Sequence, residues 1–297
     1  MTTRLDGKPV AEALDKATRT AIAAVGSGAH PPSLVSVHRG LDSPFRFYLR
    51  RQAKAATALG IAFRDLPLEP GDGPEELVAT LRSLDRDPAV HGVLVEHPLP
   101  PPFDFFRAVD ELRPEKDVDG VSPRSLGRLV GQHPVHVPAV AQAALAIARH
   151  YRLPLDGQAT AVVGRSTTVG LPLAVLLASP PPGANAAVTV LHSKSGDLAT
   201  RLAGARTIFS CVGRPGLLNR ASVPEGAHVV DVGVSSIPDP DRPGTQKAVG
   251  DADVRSLDGW AASVSPVPGG VGPVTVAELM AATVRSWRIL VRGEGGP

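Results

Sequence analysis

Residues Thr160 to Pro172 read TAVVGRSTTVGLP: a short run of apolar and β-branched residues, a polar turn between Gly164 and Gly170, and an apolar stretch with helical character. Such a run, too short for a helix and closed by glycine, is read as a buried strand, and the residues after Gly170 as the helix that covers it. Glycines at both ends of the turn permit close backbone approach, and a helix that starts there offers free N–H groups and a positive dipole end to an anion. The spacing is not G-x-G-x-x-G, so a plain strand-to-helix turn without ligand is also open at this point.

Three more runs of the same kind follow, AVTVLHS, TIFSCVG and HVVDVGV, each closed by a polar or glycine turn. The alternation of strand and helix predicts a parallel sheet with helices on its faces, and this half reads as a nucleotide-binding domain. The first half repeats the theme with LVSVHRG from Leu34, AFRDLPL from Ala62 and GVLVEHP from Gly92, and with a helix from Phe45 to Leu59 stopped by Gly60. Between the halves, Val140 to Tyr151 is an Ala-rich helical pattern flanked by the turns QHPVHVP and LPLDG. The expected organisation is a two-domain α/β chain: residues 1–139, residues 140–273, and a helix over about 274–297 that crosses back to the first domain.

At 297 residues the chain is long enough for two cores. Its 31 basic and 29 acidic side chains leave a formal charge of +2, no broad field for nucleic acid or an anionic membrane, so a small-molecule partner is expected. The lone Cys211 cannot form an internal disulfide, and MTTRLDGKPVAEALDKA lacks the apolar core of a secretion signal. A soluble protein of a reducing cytoplasm is the expectation.

Three further segments carry chemistry. LHSKS, with His192 and Ser193, stands where a dinucleotide fold ordinarily presents an acid to the ribose hydroxyls. Here Ser193, Lys194 and, from the preceding turn, Arg165 would accept a ribose phosphate, which favours NADP, although a solvated basic turn fits the pentapeptide equally well. SPVPGGVGPVT, Ser265 to Thr275, packs three glycines and three prolines into eleven residues and is expected to be irregular, either a ligand-holding loop or simply a rigid one. KDVDG, Lys116 to Gly120, offers two carboxylates; metal binding needs more oxygen ligands than it supplies, leaving recognition of a ring amide or an Asx-turn.

Together LDGK, VEHPLP, PEKDVDG, GRSTTVGLP, LHSKS, VGRPG, VVDVG, GDADV and PVPGGVGPVT resemble the methylenetetrahydrofolate dehydrogenase/cyclohydrolase family over nearly the full length. The resemblance implies a folate-binding domain, a Rossmann-type NADP-binding domain, a cleft between them and a homodimer. It implies oxidation of methylenetetrahydrofolate with NAD(P), followed by hydrolysis of the methenyl product. It carries cofactor binding onto Gly164, Arg165, Ser166, Val169, Gly170, His192, Ser193, Val212, Gly213, Val234 and Thr275, and pterin binding onto Tyr48, Asp119, Pro268, Gly269 and Gly270; no metal is implied. Tyr48 would stack on the substrate rings, and Asp119 would hold the pterin's donor edge.

The pattern breaks at the catalytic centre. The family's lysine, in Y-x-x-x-K, is Gln52 here, an amide that does not exchange a proton near neutral pH. Lys54 lies about 200° further round the helix and is expected to face elsewhere. The glutamine of V-Q-L-P-L-P is Glu96, so a cation and an amide have become an amide and an anion. Glu96 would stabilise a cationic carbon or act as a base; pairing with Arg51 without chemistry is the other reading. Phe45 and Ala139-Val140-Ala141 also depart from the pattern. Tyr48, Gln52, Glu96 and Asp119 form the expected catalytic set. The expected function is NADP-dependent methylenetetrahydrofolate oxidation with weak or absent cyclohydrolase activity. The alternatives are a repurposed enzyme acting on the folate one-carbon unit or another cyclic iminium, and a non-catalytic binder of folate or NADP.

Overall fold

A computed structural model of the chain describes residues 1–25, 30–40, 43–239, 242 and 244–293; the side chains at 43–45 and 47, Phe45 among them, lie outside it. The chain divides into two compact units. Unit 1 holds Met1–Ala11 and Val140–Thr275; unit 2 holds Glu12–Ala139 and the chain from Val276 onward.

In chain order, β1 (Thr3–Arg4) and α1 (Lys8–Ala23) precede β2 (Ser33–His38), α2 (Ser43–Leu59), β3 (Ala62–Pro67), α3 (Pro74–Arg86) and β4 (Gly92–Val95). The helices α4 (Phe105–Val109), α5 (Pro123–Val130) and α6 (Ala139–His150) lead to β5 (Ala159–Val163), α7 (Gly170–Ala178), β6 (Ala187–Leu191), α8 (Leu198–Leu202) and β7 (Thr207–Ser210). β8 (His228–Asp231), a hairpin of β9 (Ser235–Pro238) and β10 (Gln246–Val249), α9 (Val254–Leu257), β11 (Ser263–Val264) and α10 (Val271–Arg292) complete it.

Unit 2 is built on a three-stranded parallel sheet in the order β3-β2-β4. The central β2 is buried from Leu34 to His38, which is why its sequence is nearly continuous in apolar residues. Side chains alternate across a strand. Leu34 and Leu94 therefore join Ala56 and Leu59 of α2 and Met280 and Trp287 of α10, while Val35, Val37, Val93 and Val95 join Leu77 and Leu81 of α3. The same alternation carries Ser36 and His38 onto the face of α2.

Lys116 explains much of the turn between β4 and α5. Its buried ammonium donates to the carbonyls of Leu84, Asp85 and Asp87 at 3.0, 2.8 and 2.7 Å, closing the C-terminal end of α3. Asp117 accepts from the amides of Gly120, Val121 and Ser122. Gly120 sits at φ 67°, and a β-carbon there would lie 2.9 Å from the Val137 carbonyl carbon. The first acid of KDVDG is thus the turn-former, and the second is left over.

Unit 1 has six parallel strands in the order β1-β11-β8-β7-β5-β6. β5 has β6 on one side and β7 on the other, so the strand order reverses beside it; ligands of open α/β sheets bind outside the carboxyl ends of strands at such a point.

Two expectations are corrected. Residues 1–11 were placed with the first domain, but β1 pairs with β11, Gly7 N donates to Gly269 O at 2.8 Å, and the segment belongs to unit 1. Ser265 to Thr275 was expected to be irregular throughout, yet α10 begins at Val271. Pro273 falls in the first turn, where its missing N–H has no helical acceptor to lose.

Candidate functional site

In unit 2 the expected catalytic residues gather at the carboxyl ends of β2 and β4. Gln52 is fully buried on the inner face of α2, and its Nε2 donates to Glu96 Oε1 at 2.8 Å. Ser36 Oγ donates to the same oxygen at 3.2 Å, and the Glu96 amide extends the ladder to Val37 O. Lys54 is exposed, two positions from Gln52, as helical geometry requires.

Burial is the main cause that pushes the Glu96 carboxyl up from its ordinary range; the bonds from Gln52 and Ser36 and the nearby His38 pull it down, and Asp65 pushes it up. Burial, with Glu96 and Asp119 as neighbours, raises Tyr48, against Arg51 and a hydrogen bond from Gln52. Asp119 stands well above the carboxylate range through burial, Asp117 and Glu96, and its Oδ2 lies 4.0 Å from His97 Nε2. Burial lowers His97, whose ring packs edge-on against Phe105 at 4.8 Å.

Ser36, His38, Asp65 and His97 were missed by the sequence reading. His38 Nε2 meets Asp65 Oδ1 at 2.7 Å, with the histidine side chain 9% and the aspartate 51% exposed. The available signal was polarity at positions 36 and 38 of a strand otherwise apolar from Leu34 to Val37. Two atoms in this cluster, Gln52 Oε1 and His38 Nδ1, are buried without a hydrogen-bond partner. Unpaired buried acceptors are costly and mark places where a ligand completes the bonding.

In unit 1 the turn after β5 is a close crossing of the backbone. Gly164 holds φ 118°, and a β-carbon there would lie 2.7 Å from Cys211 Sγ and 2.9 Å from Cys211 O. A β-carbon on Gly170 would strike the carbonyl of Gly164. Both glycines are therefore needed for the crossing of the backbone. Ser166 Oγ accepts from the amides of Val169 and Gly170 at 3.2 Å, tightening the start of α7, and Arg165 is exposed beside it. His192 and Ser193 close β6 in a turn in which Lys194 N donates to His192 Nδ1 at 3.1 Å; Ser193 and Lys194 are exposed, and no acid stands from 192 to 195.

Val212, Gly213 and Val234 stand on the neighbouring loops, the two valines 45% and 65% exposed. Those loops are held by acids that the sequence reading cited only inside motifs. Asp251, fully buried, accepts from Ser210 Oγ at 2.7 Å, Val212 N at 2.8 Å and Arg214 N at 2.6 Å. Asp231 accepts from Gly233 N and Ala252 N, and burial is the main cause that pushes its carboxyl up to about 7. Cys211, pushed up to about 12 by burial and Asp251, is an inert thiol.

Pro268, Gly269 and Gly270 form the turn before α10, with Gly269 at φ 107°. Thr275 is buried in α10, its hydroxyl donating to Val271 O at 3.2 Å. These four residues belong to unit 1, whereas Tyr48, Gln52, Glu96 and Asp119 belong to unit 2. Among the described residues no group of His, Cys, Asp and Glu has a metal-holding arrangement, and no helix is long and apolar enough to cross a membrane.

Comparison with known proteins matches residues 5–119 to the tetrahydrofolate dehydrogenase/cyclohydrolase catalytic domain and residues 138–290 to the NAD(P)-binding domain of the same family. A bifunctional protein FolD 1 of Rhodococcus jostii is 38% identical over 284 residues, 96% of this chain and 92% of that one. The FolD protein of Methanoculleus marisnigri is 37% identical over 289 residues, 97% and 98% of the two chains. The crystal structure of Trypanosoma brucei methylenetetrahydrofolate dehydrogenase-cyclohydrolase, complexed with NADP cofactor and inhibitor, superposes with a TM-score of 0.90 at 32% identity, covering 98% of this chain and 99% of that one.

Proposed function

The chain belongs to the tetrahydrofolate dehydrogenase/cyclohydrolase family, and from that premise we propose that it oxidises 5,10-methylenetetrahydrofolate to 5,10-methenyltetrahydrofolate with NADP while hydrolysing the product weakly or not at all. The observation that carries the second half is Gln52: buried, donating a hydrogen bond to Glu96, and standing where the resemblance puts a lysine. Water addition to the methenyl carbon needs a group that takes up and returns a proton, and an amide does neither near neutral pH.

The chain's own residues fit a dinucleotide phosphate. The glycine crossing at Gly164 and Gly170 leaves room for close backbone approach at the turn, whereas the first amides of α7 are taken, Gly170 N by Ser166 Oγ and Leu171 N by Ser166 O, and Pro172 has none, so the free helix N–H groups expected from the sequence are not there. Arg165, Ser193 and Lys194, with no acid among 192–195, suit the additional phosphate of NADP. When bound, NADP supplies the hydride acceptor. In the pterin site Asp119 would bond the ring's donor edge, and Tyr48 would line the ring face. Oxidation then depends on holding the donor carbon in place, work that positioning performs without a proton carrier. Dimerisation and a cytoplasmic setting belong to the same proposal; sedimentation velocity reads the first.

The experiment is direct. Purified protein with methylenetetrahydrofolate and NADP should accumulate NADPH and the methenyl compound together; no absorbance change at saturating substrate overturns the dehydrogenase reading. Conversion of added methenyl to formyl compound well above the buffer rate overturns the claim of weak hydrolysis. Glu96 favours a second reading, an enzyme redirected toward another cyclic iminium, which gains if NADP reduction proceeds with such a substrate and not with the folate.

A further inference from the structure

Three polar groups on two elements of unit 2 surround one carboxyl at the end of a third. Ser36 and His38 come from β2, Gln52 from α2, and Glu96 from the end of β4. Both hydrogen bonds to Glu96 fall on Oε1, so the carboxylate is fixed in orientation by two donors of different elements. His38 is itself fixed, its Nε2 on Asp65 Oδ1 of β3. Beside them Gln52 Oε1 is a buried acceptor without a partner. A built cluster that presents carboxylate and amide oxygens, with one acceptor unsatisfied, is complementary to positive charge.

Oxidation of the bridging carbon creates such a charge. The C–H bond breaks, the electron pair leaves with the hydrogen as hydride to the nicotinamide, and the neutral N–C–N aminal becomes a delocalised amidinium cation; no proton is released. We propose that Glu96, held by Ser36 and Gln52, is the counter-ion for this cation. The inference rests on the folate reading above and adds what the cluster does there: the protein prefers the cationic oxidised folate to its neutral precursor. The charged and titratable groups around Glu96 are His38 on β2, Asp65 on β3, Tyr48 and Arg51 on α2, the adjoining His97, and Asp119.

The test compares binding of 5,10-methenyltetrahydrofolate, a cation at the bridging carbon, with binding of tetrahydrofolate, neutral there, by calorimetry without NADP. The unmodified protein should bind the cation more tightly, and Glu96→Gln should cut that preference, read as the ratio of the two affinities, by about tenfold or more. Glu96→Asp should recover part of the preference. An equal preference in the unmodified protein and Glu96→Gln, both folded by circular dichroism, overturns the counter-ion. Failure to bind either folate overturns the folate reading and this inference with it. Tight folate binding with no effect of Glu96→Gln leaves the folate reading standing and removes the inference alone.

Discussion

At the scale of single residues, the two sites make opposite demands. Gly164 is a matter of space: its φ of 118° suits glycine, and a β-carbon would press on Cys211. Gly164→Ala is expected to lower stability by about 1–3 kcal/mol and to weaken NADP binding beyond that, because the turn must open to relieve the contact. Urea unfolding with and without NADP checks both effects, and a variant with unchanged stability and affinity contradicts the reading. Gln52 is a matter of chemistry. A proton carrier at that position is expected to contribute about 100-fold or more to hydrolysis, so Gln52→Lys combined with Glu96→Gln should raise conversion of methenyl to formyl compound by that order. Stopped-flow absorbance of the methenyl compound reads it. Unchanged hydrolysis in a folded double variant means that the amide is not what limits the reaction.

Elements show why part of this was legible in the sequence and part was not. The runs from Leu34, Ala62, Gly92 and Thr160 emerge as β2, β3, β4 and β5; β2 and β5, central in their sheets and buried, had to be apolar, whereas β3 is an exposed edge strand with Arg64 and Asp65 in it. β1 and β11 have two residues each, and SSIP of β9 has no apolar run, so they left no periodic signal. Glycine-rich GRSTTVGLP announced its turn because close approach excludes every other residue there. Ser36, His38 and Asp65 were hidden for a different reason: their meaning depends on which strand neighbours which, and the order β3-β2-β4 is not written in any one segment. KDVDG shows the same limit, since its lysine acts on a helix about thirty residues earlier in the chain. Lys116→Met should therefore fray α3, taking the donor from Leu84 O while Asp85 O keeps Arg113 and Asp87 O keeps Val90 N, at a cost of about 1–3 kcal/mol. Hydrogen exchange ought to show the loss concentrated in the last turn of α3; an evenly spread loss argues against the cap.

Across the whole molecule, two buried groups give stability opposite dependences on pH. His136, in unit 2, sits between Ser286 Oγ at 2.8 Å and Arg285 Nη1 at 3.4 Å, and burial, reinforced by Arg285, pushes it down to about 3. The unfolded chain takes up a proton at this residue near pH 6.5 and the folded chain does not. Stability contributed by neutral His136 is complete above 6.5 and is lost as pH falls toward 3, by about 4–5 kcal/mol in all. Asp231, in unit 1, is pushed up to about 7, so the folded chain keeps a proton that the unfolded chain releases near 3.8. Its contribution is complete below 3.8 and is lost as pH rises through 7, by about 4 kcal/mol. Variants isolate each from the remaining titrating groups. Relative to His136→Gln, the unmodified protein should lose stability on acidification from pH 7 to 5, read by amide exchange in α10 beyond Val276. Relative to Asp231→Asn it should gain stability over the same interval, read by exchange in β8. Slopes of the same sign in the two comparisons would contradict the assignment of a neutral imidazole to one unit and a protonated carboxyl to the other.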